Sequence, residues 1–398
     1  MGPRCDLLVV GGGPAGAAAA IRAAAAGLSV VVCDKATFPR DKTCGDGLTA
    51  SALRLLERLG LDPAAVAGWQ PVAGVALRSP SGRVVELPLP GDGCFAAVAP
   101  RAALDAALLD AAVRRGVEVR QGAALESLRP AADVIEAMVG GEAIAARYVV
   151  AADGMYSTVR RLTGAAAGGP HLGEWHAFRQ YFTGVPDRRL WILFEPDLLP
   201  GYAWVFPVAG GRANVGFGLP RRAGVSVRPM AAQWRELLQR PALRALLGAA
   251  EPEGHHRAWP IPADIRRAPL SAGRVLFAGD AAGATDPMTG EGIAQALVTG
   301  VLAAEAVAAG DDPDAVGRRY RAAVEHHLAA DLRFAAALAA VLRSRAGARA
   351  AVRAAGLTPW TRRHFARWMF EDYPRALVLT PSRWRRGVFT GPGAYRAA

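Results

Sequence analysis

Only two of the 398 residues are lysine, Lys35 and Lys42, so the positive charge of this sequence is almost wholly arginine. Cysteine is scarce too. Cys5, Cys33, Cys44 and Cys94 form no C-x-x-C pair, which argues against a zinc ribbon or a dithiol redox motif. Reduced thiols are expected, and no metal site. There is no run of the roughly 18 uncharged apolar residues that a spanning helix needs. No signal-peptide pattern is visible either: Asp6 interrupts the first apolar run, which then turns glycine-rich. A cytoplasmic location is expected. Hydrophobic residues are 52% and charged residues 21%, which excludes disorder as the main state. The length exceeds one ordinary core and suits two or three domains.

The net charge of +12 is unevenly placed. From Arg343 onward there are twelve arginines against Glu371 and Asp372, a local +10. Such a block fits an anionic partner or a solvated basic surface. His255-His256 and His326-His327 are adjacent pairs whose side chains diverge on a helix or strand, so they read as surface structure.

The residues that carry chemistry begin at once. Cys5-Asp-Leu-Leu-Val-Val is an apolar strand running into Gly11-x-Gly13-x-x-Gly16 and an alanine-rich helix. Gly27 stops that helix, and a second apolar strand ends at Asp34. In this pattern Gly11 permits the tight turn, Gly13 admits a pyrophosphate to the backbone, and Gly16 lets helix and strand pack. The helix N-terminus offers unpaired N–H groups and a positive dipole end to phosphates. Asp34 is placed to accept the ribose hydroxyl protons. The sequence therefore predicts dinucleotide binding, without separating NAD from FAD.

Further along, helices are expected over 50–60 and 101–115. Strands are expected over 72–78, 83–89, 117–120, 133–138 and 144–151. Residues 175–219 are rich in aromatic and β-branched types broken by Pro and Gly, the texture of an antiparallel sheet. A strand returns at 274–279, followed by Asp280 and a long helix beyond Gly292. The rest, from about 315, reads as helices.

Ala151-Ala-Asp-Gly154 and Leu276-Phe-Ala-Gly-Asp-Ala-Ala282, each following a strand, together resemble flavoproteins of the p-hydroxybenzoate hydroxylase type. That resemblance implies FAD, with Asp280 on the ribityl chain and Arg101 at the pyrophosphate. It also implies that the helix after Gly290-Glu-Gly292-Ile293 points its N-terminus at the flavin pyrimidine edge. A narrower resemblance lies in three blocks. They are Phe38-Pro-Arg-Asp-Lys-Thr-Cys-Gly-Asp-Gly47, Pro200-Gly-Tyr-Ala-Trp-Val-Phe-Pro207 with Asn214-Val-Gly216, and Gly279-Asp-Ala-Ala-Gly283 with Pro287-Met-Thr-Gly-Glu-Gly292. These blocks resemble the geranylgeranyl reductase family over residues 5 to about 310. The family implies an FAD enzyme that reduces isolated C=C bonds in prenyl chains of lipids, chlorophyll or quinones. It extends the cofactor set to Ala15, Lys35, Arg40, Cys44, Gly45, Asp46, Gly47, Leu125, Asp153, Pro287, Gly290 and Ile293.

Tyr202, Trp204 and Phe206 alternate, so one strand face carries all three, as a cavity wall or as packed core. Tyr202 and Trp204 are the candidate substrate-contacting residues. Cys44, in the glycine-rich loop, is a candidate proton donor or flavin-tuning group, or simply a small residue. An α/β fold (α+β overall) is expected. A Rossmann-like FAD-binding domain (1–70, 96–165, 262–330) would interleave with an antiparallel-sheet substrate domain (71–95, 166–261), before a helical C-terminal region (331–398).

The runner-up activity is a flavin monooxygenase or halogenase on the same scaffold. Halogenases of this type use an active-site lysine, a role poorly supplied when both lysines fall in the FAD half. A lipid carrier that keeps a flavin fold is the non-catalytic alternative. No second nucleotide-binding βαβ unit is visible, so the electron donor is external, NAD(P)H or a ferredoxin-like protein. Trp360-Thr-Arg-Arg-His-Phe-Ala-Arg-Trp-Met-Phe370 places Trp360, His364 and Trp368 on one helix face among arginines. Such a segment suits either peripheral membrane contact or packing onto the body of the protein. Nucleic acid is not an expected partner.

Overall fold

The computed structural model describes residues 3–165, 173–221, 230–267, 269–310, 312–384 and 389–396. The expected domain border at residue 166, and Arg385 and Arg386 of the basic tail, lie outside the described residues.

β1 (Arg4–Val10) is the centre of the first sheet because Leu7, Leu8 and Val9 are wholly buried. β2 (Val30–Asp34) and the strand Glu142–Ala151 flank it in parallel. Glu118–Gln121 lies outside β2, and Val275–Phe277 outside Glu142–Ala151, again in parallel. Strands buried on both faces need no polar alternation, which is why β1 and β2 read as continuous apolar runs. Parallelism has a functional result. Gly11, Asp34, Asp153 and Asp280 all follow or close the carboxyl ends of these strands, so they meet at one edge, where open α/β sheets bind ligands. An antiparallel meander, Leu125–Pro130 and Ile135–Val139, extends from Glu142–Ala151. α1 (Pro14–Ala25) is alanine-rich because the helix Ile293–Ala308 lies hard against it. A Cβ on Gly300 would stand 2.1 Å from the Ala15 carbonyl oxygen.

The second sheet has the order Glu251–Ile261, Trp175–Thr183, Arg212–Pro220, Tyr202–Val208, Leu190–Leu193, Gly74–Arg78, Val84–Pro88. It departs from the expected antiparallel pattern at one place, where Leu190–Leu193 runs parallel to Gly74–Arg78. Those two strands come from distant parts of the chain, and the segment joining them passes through the first sheet. Helices Met230–Gln239 and Pro241–Leu247, which the sequence reading did not anticipate, cover one face, with Trp234 stacked on Phe217.

The tail does not stand apart. Helices Arg345–Ala355 and Pro359–Met369 pack on the other side of the second sheet, burying Val352, Ala366 and Phe370 with Val85 and Leu87, while Ala330–Leu342 buries Ala335, Ala339 and Leu342 with Ala348. The chain then returns to the first half, where the Cys94 and Ala394 backbones exchange hydrogen bonds of 2.7 and 2.9 Å. No helix among the described residues is long and apolar enough to cross a membrane.

Candidate active site

A cavity of about 780 Å³ runs from the carboxyl edge of the first sheet to the aromatic face of the second. Of the candidate residues, Gly11, Gly13, Ala15, Asp34, Lys35, Arg40, residues 44–47, Arg101, Leu125, Asp153, Tyr202, Trp204, Asp280, Gly290, Gly292 and Ile293 line it. Gly16 and Pro287 do not. Gly16 serves the turn itself, since a Cβ there would fall 1.8 Å from the Gly11 carbonyl oxygen. The Pro287 carbonyl accepts the indole N–H of Trp175 at 3.0 Å.

The nucleotide end fits a dinucleotide. Gly11 has φ +106°, a conformation side chains resist, and its Cβ would meet the Ala152 carbonyl oxygen at 2.4 Å. A Cβ on Gly13 would meet nothing closer than the guanidinium groups of Arg101 and Arg40, both at 3.7 Å. Open space between a helix N-terminus and two guanidinium groups is a cradle for phosphates. Arg101 is aimed by a two-pronged ion pair with buried Asp105, at 2.8 and 2.7 Å, which Arg40 joins at 3.2 Å. The Asp34 carboxylate is fixed by the N–H groups of Gly12 and Ala36, both at 2.8 Å. Lys35 is exposed at the rim. Asp153 accepts from the Val159 N–H at 3.1 Å, and its other, buried oxygen has no hydrogen-bond partner among the described residues. Burial raises its carboxyl above the usual range.

The loop over 44–47 meets the aromatic strand. A Cβ on Gly45 or Gly47 would touch Phe206 at 3.5 or 3.3 Å. Tyr202, Trp204 and Phe206 form a ladder with ring centroids 6.0 Å apart at each step. Trp204 is held by Asn214, whose Oδ1 accepts the indole N–H at 3.0 Å. The Asn214 amide in turn donates to the Cys44 carbonyl and to Asp46, each at 2.8 Å. Asp46 is wholly buried at φ +64°, and its carboxylate also accepts from the Tyr181 hydroxyl and the Arg101 N–H. Its side chain is therefore committed to holding the loop. Burial pushes it up to about 6. The Cys44 sulfur accepts from the Asp46 N–H at 3.3 Å, and burial pushes the thiol up to about 11, so it stays protonated. The Tyr202 hydroxyl donates to the Thr289 carbonyl.

Three features escaped the sequence reading. Lys42 is not remote from the cavity: its ammonium lies 3.5 Å from the Trp259 ring centroid, and burial lowers it to about 8. The first N–H groups of the helix Ile293–Ala308 are not all free for a ligand, because Glu291 accepts from Ile293 at 2.9 Å and Ala294 at 3.2 Å. The tail supplies wall residues: Leu338, Leu342, Phe365, Trp368 and Met369 line the cavity. Trp368 thus parts from Trp360, which is 61% exposed, and the expected shared face is divided between cavity and surface.

Residues 4–310 match the FAD binding domain family. The menaquinone reductase of Mycolicibacterium smegmatis is 34% identical over 340 residues, 79% of each chain. Digeranylgeranylglycerophospholipid reductase 1 of Methanopyrus kandleri is 34% identical over 315 residues, 75% of this chain and 79% of its own. A geranylgeranyl bacteriochlorophyll reductase-like protein of Thermoplasma acidophilum superposes with a TM-score of 0.79 at 22% identity, covering 96% of this chain and 100% of its own. The phosphate cradle, the loop over 44–47 and the aromatic ladder lie within the matched span, and the chain belongs to the geranylgeranyl reductase family of FAD-dependent oxidoreductases.

Proposed function

We propose that this protein saturates isolated C=C bonds in the prenyl chain of a quinone or lipid. The observation that carries the reading is one continuous cavity, with a phosphate cradle at one end and an apolar, aromatic wall at the other. The names of the relatives support it: they reduce menaquinone and digeranylgeranylglycerophospholipid.

When bound, FAD supplies the hydride chemistry. The chain's own residues hold and orient. Asp34 takes the ribose hydroxyls, Gly13 and Arg101 take the pyrophosphate, and Asp280 takes the ribityl chain. An isolated alkene has no polar handle, so shape and apolar contact must place it. Tyr202 and Trp204 suit that task because each is tied at its polar tip, to Thr289 and Asn214, leaving the ring fixed against the cavity. Electrons come from an external donor, NAD(P)H or a ferredoxin-like protein. The substrate lives in a bilayer, so the basic tail is read as a peripheral membrane contact.

A monooxygenase or halogenase keeps one observation in its favour, the entry of Lys42 into the cavity. Anaerobic turnover with reduced flavin and a panel of prenyl quinones and lipids, followed by mass spectrometry, decides between them. Products should gain two hydrogens per reduced bond. A product that carries an added oxygen or halogen would refute the reductase reading.

A further inference from the structure

Between the phosphate cradle and the aromatic wall, one carboxyl stands at the cavity with half of its capacity unused. Glu291 lines the cavity, and its Oε1 accepts the N–H groups of Ile293 and Ala294. Both of those hydrogen bonds fall on Oε1, and none is formed to Oε2 among the described residues. The groups around it come from four parts of the fold. Asp286 lies on its own loop, Tyr202 on the aromatic strand, Cys44 on the loop over 44–47, and Glu371 on the tail, where Arg375 adjoins Glu371. The nearby cation is already engaged. Arg375 pairs with Asp286 at 3.2 Å and with Glu371 at 3.1 Å. No ion pair reaches Glu291 among the described residues, and two acids remain beside it.

We propose that Glu291 is the acid that delivers the proton when the alkene is saturated. The inference rests on the reductase reading. Reduction of a C=C bond needs a hydride on one carbon and a proton on its neighbour. The hydride comes from the reduced cofactor with its electron pair. The π electrons of the alkene form the second C–H bond with the Glu291 proton. Glu291 is left as a carboxylate, which the Ile293 and Ala294 N–H groups at the helix N-terminus stabilise, and solvent then reprotonates it.

The electrostatics agree. Burial, reinforced by Glu371, pushes Glu291 up to about 8, so near neutrality it holds its proton. Cys44, the candidate from sequence, is the poorer donor. Its thiol is pushed up to about 11 and its sulfur already accepts the Asp46 N–H. A general acid works best when its pKa lies near the working pH, which favours the carboxyl.

Glu291→Gln and Glu291→Asp, prepared as holoenzymes, test the assignment. The Gln variant should retain FAD and lose turnover by roughly 10²–10⁴-fold, the usual worth of a general acid. Wild-type turnover should fall as pH rises through about 8, a limb the Gln variant lacks and the Asp variant keeps with partial activity. A second readout needs no turnover. A glutamate raised on folding favours the folded state below its ordinary pKa and loses that contribution as pH rises through the folded value. The apo wild type should therefore lose stability relative to Glu291→Gln between about pH 4.5 and pH 8. A Gln variant that turns over within a few-fold of wild type, with the same basic limb, overturns the assignment and leaves the reductase reading intact. Wild-type protein that saturates no prenyl chain overturns both.

Discussion

The two ends of the cavity are built by different means. At the nucleotide end much of the work falls to backbone: a left-handed turn at Gly11, an open Cα at Gly13, a helix N-terminus, and the N–H groups of Gly12 and Ala36 that fix the Asp34 carboxylate. At the substrate end they are side chains gathered from far apart, with Asn214 reaching Cys44 and Arg375 reaching Asp286. Local geometry specifies the first end and tertiary packing the second. Each end should therefore fail separately when its own kind of support is removed.

The largest effect is expected at Arg375. Its guanidinium is buried between Asp286 and Glu371, both little exposed. Arg375→Ala removes the cation and leaves two buried carboxyls facing each other, which should cost about 3–5 kcal/mol, the usual penalty for breaking a buried ion pair. Urea melts should register the loss. Flavin retained per folded molecule should change little, because no group of the phosphate cradle touches Arg375.

The converse substitution is Asp34→Ala. It removes an acceptor for the ribose hydroxyls and also frees the Gly12 and Ala36 N–H groups that shape the turn. FAD affinity should fall by about 1.5–3 kcal/mol, the worth of hydrogen bonds to a charged group. Titration of apoprotein with FAD measures it. Unchanged affinity would sever Asp34 from the cofactor and break the contrast between the two ends.

The same contrast explains what could be read in advance. Gly11, Gly13, Gly16 and Asp34 announce themselves because their spacing and their function are both local. The strands after which Asp153 and Asp280 sit were legible as apolar runs, and parallel pairing did the rest. The substrate end hid its parts. Glu291 stood between Gly290 and Gly292 but was assigned no role, since nothing in the sequence tells that Asp286 and Glu371 converge on it. Asp46 looked like a cofactor ligand, yet its side chain turns inward to Tyr181, Asn214 and the Arg101 N–H. One signal was available in the tail. From Arg343 onward Glu371 and Asp372 are the only acids, and both are consumed inside, Glu371 by Arg375 and Asp372 by Arg54 and Arg367. The helices Met230–Gln239 and Pro241–Leu247 were missed because they are short, 10 and 7 residues, and bury only Met230, Trp234, Leu237, Leu243 and Leu247, too brief a periodic pattern to stand out.

The smallest effect concerns the tail's outer side. With its acids buried, the charge left outside is unopposed: Arg345, Arg349, Arg353, Arg362 and Arg363 are exposed and form no ion pair among the described residues. Exposed apolar groups sit among them, with Leu357 at 63% and Trp360 at 61%. Helix Pro359–Met369 thus turns Trp368 and Phe365 to the cavity and Trp360 outward, so one helix faces both a prenyl chain inside and a headgroup zone outside. Vesicles with anionic lipid should co-sediment the protein at low salt. Each surface arginine is worth about 1 kcal/mol there, and the attraction decays within a Debye length of about 10 Å at 0.1 M salt. Trp360→Ala should weaken binding modestly at every salt concentration, because it removes apolar anchoring. Arg362→Ala with Arg363→Ala should weaken it only at low salt. Equal absence of binding to anionic and neutral vesicles at low salt would confine the tail to its inner task, closing the substrate end of the cavity.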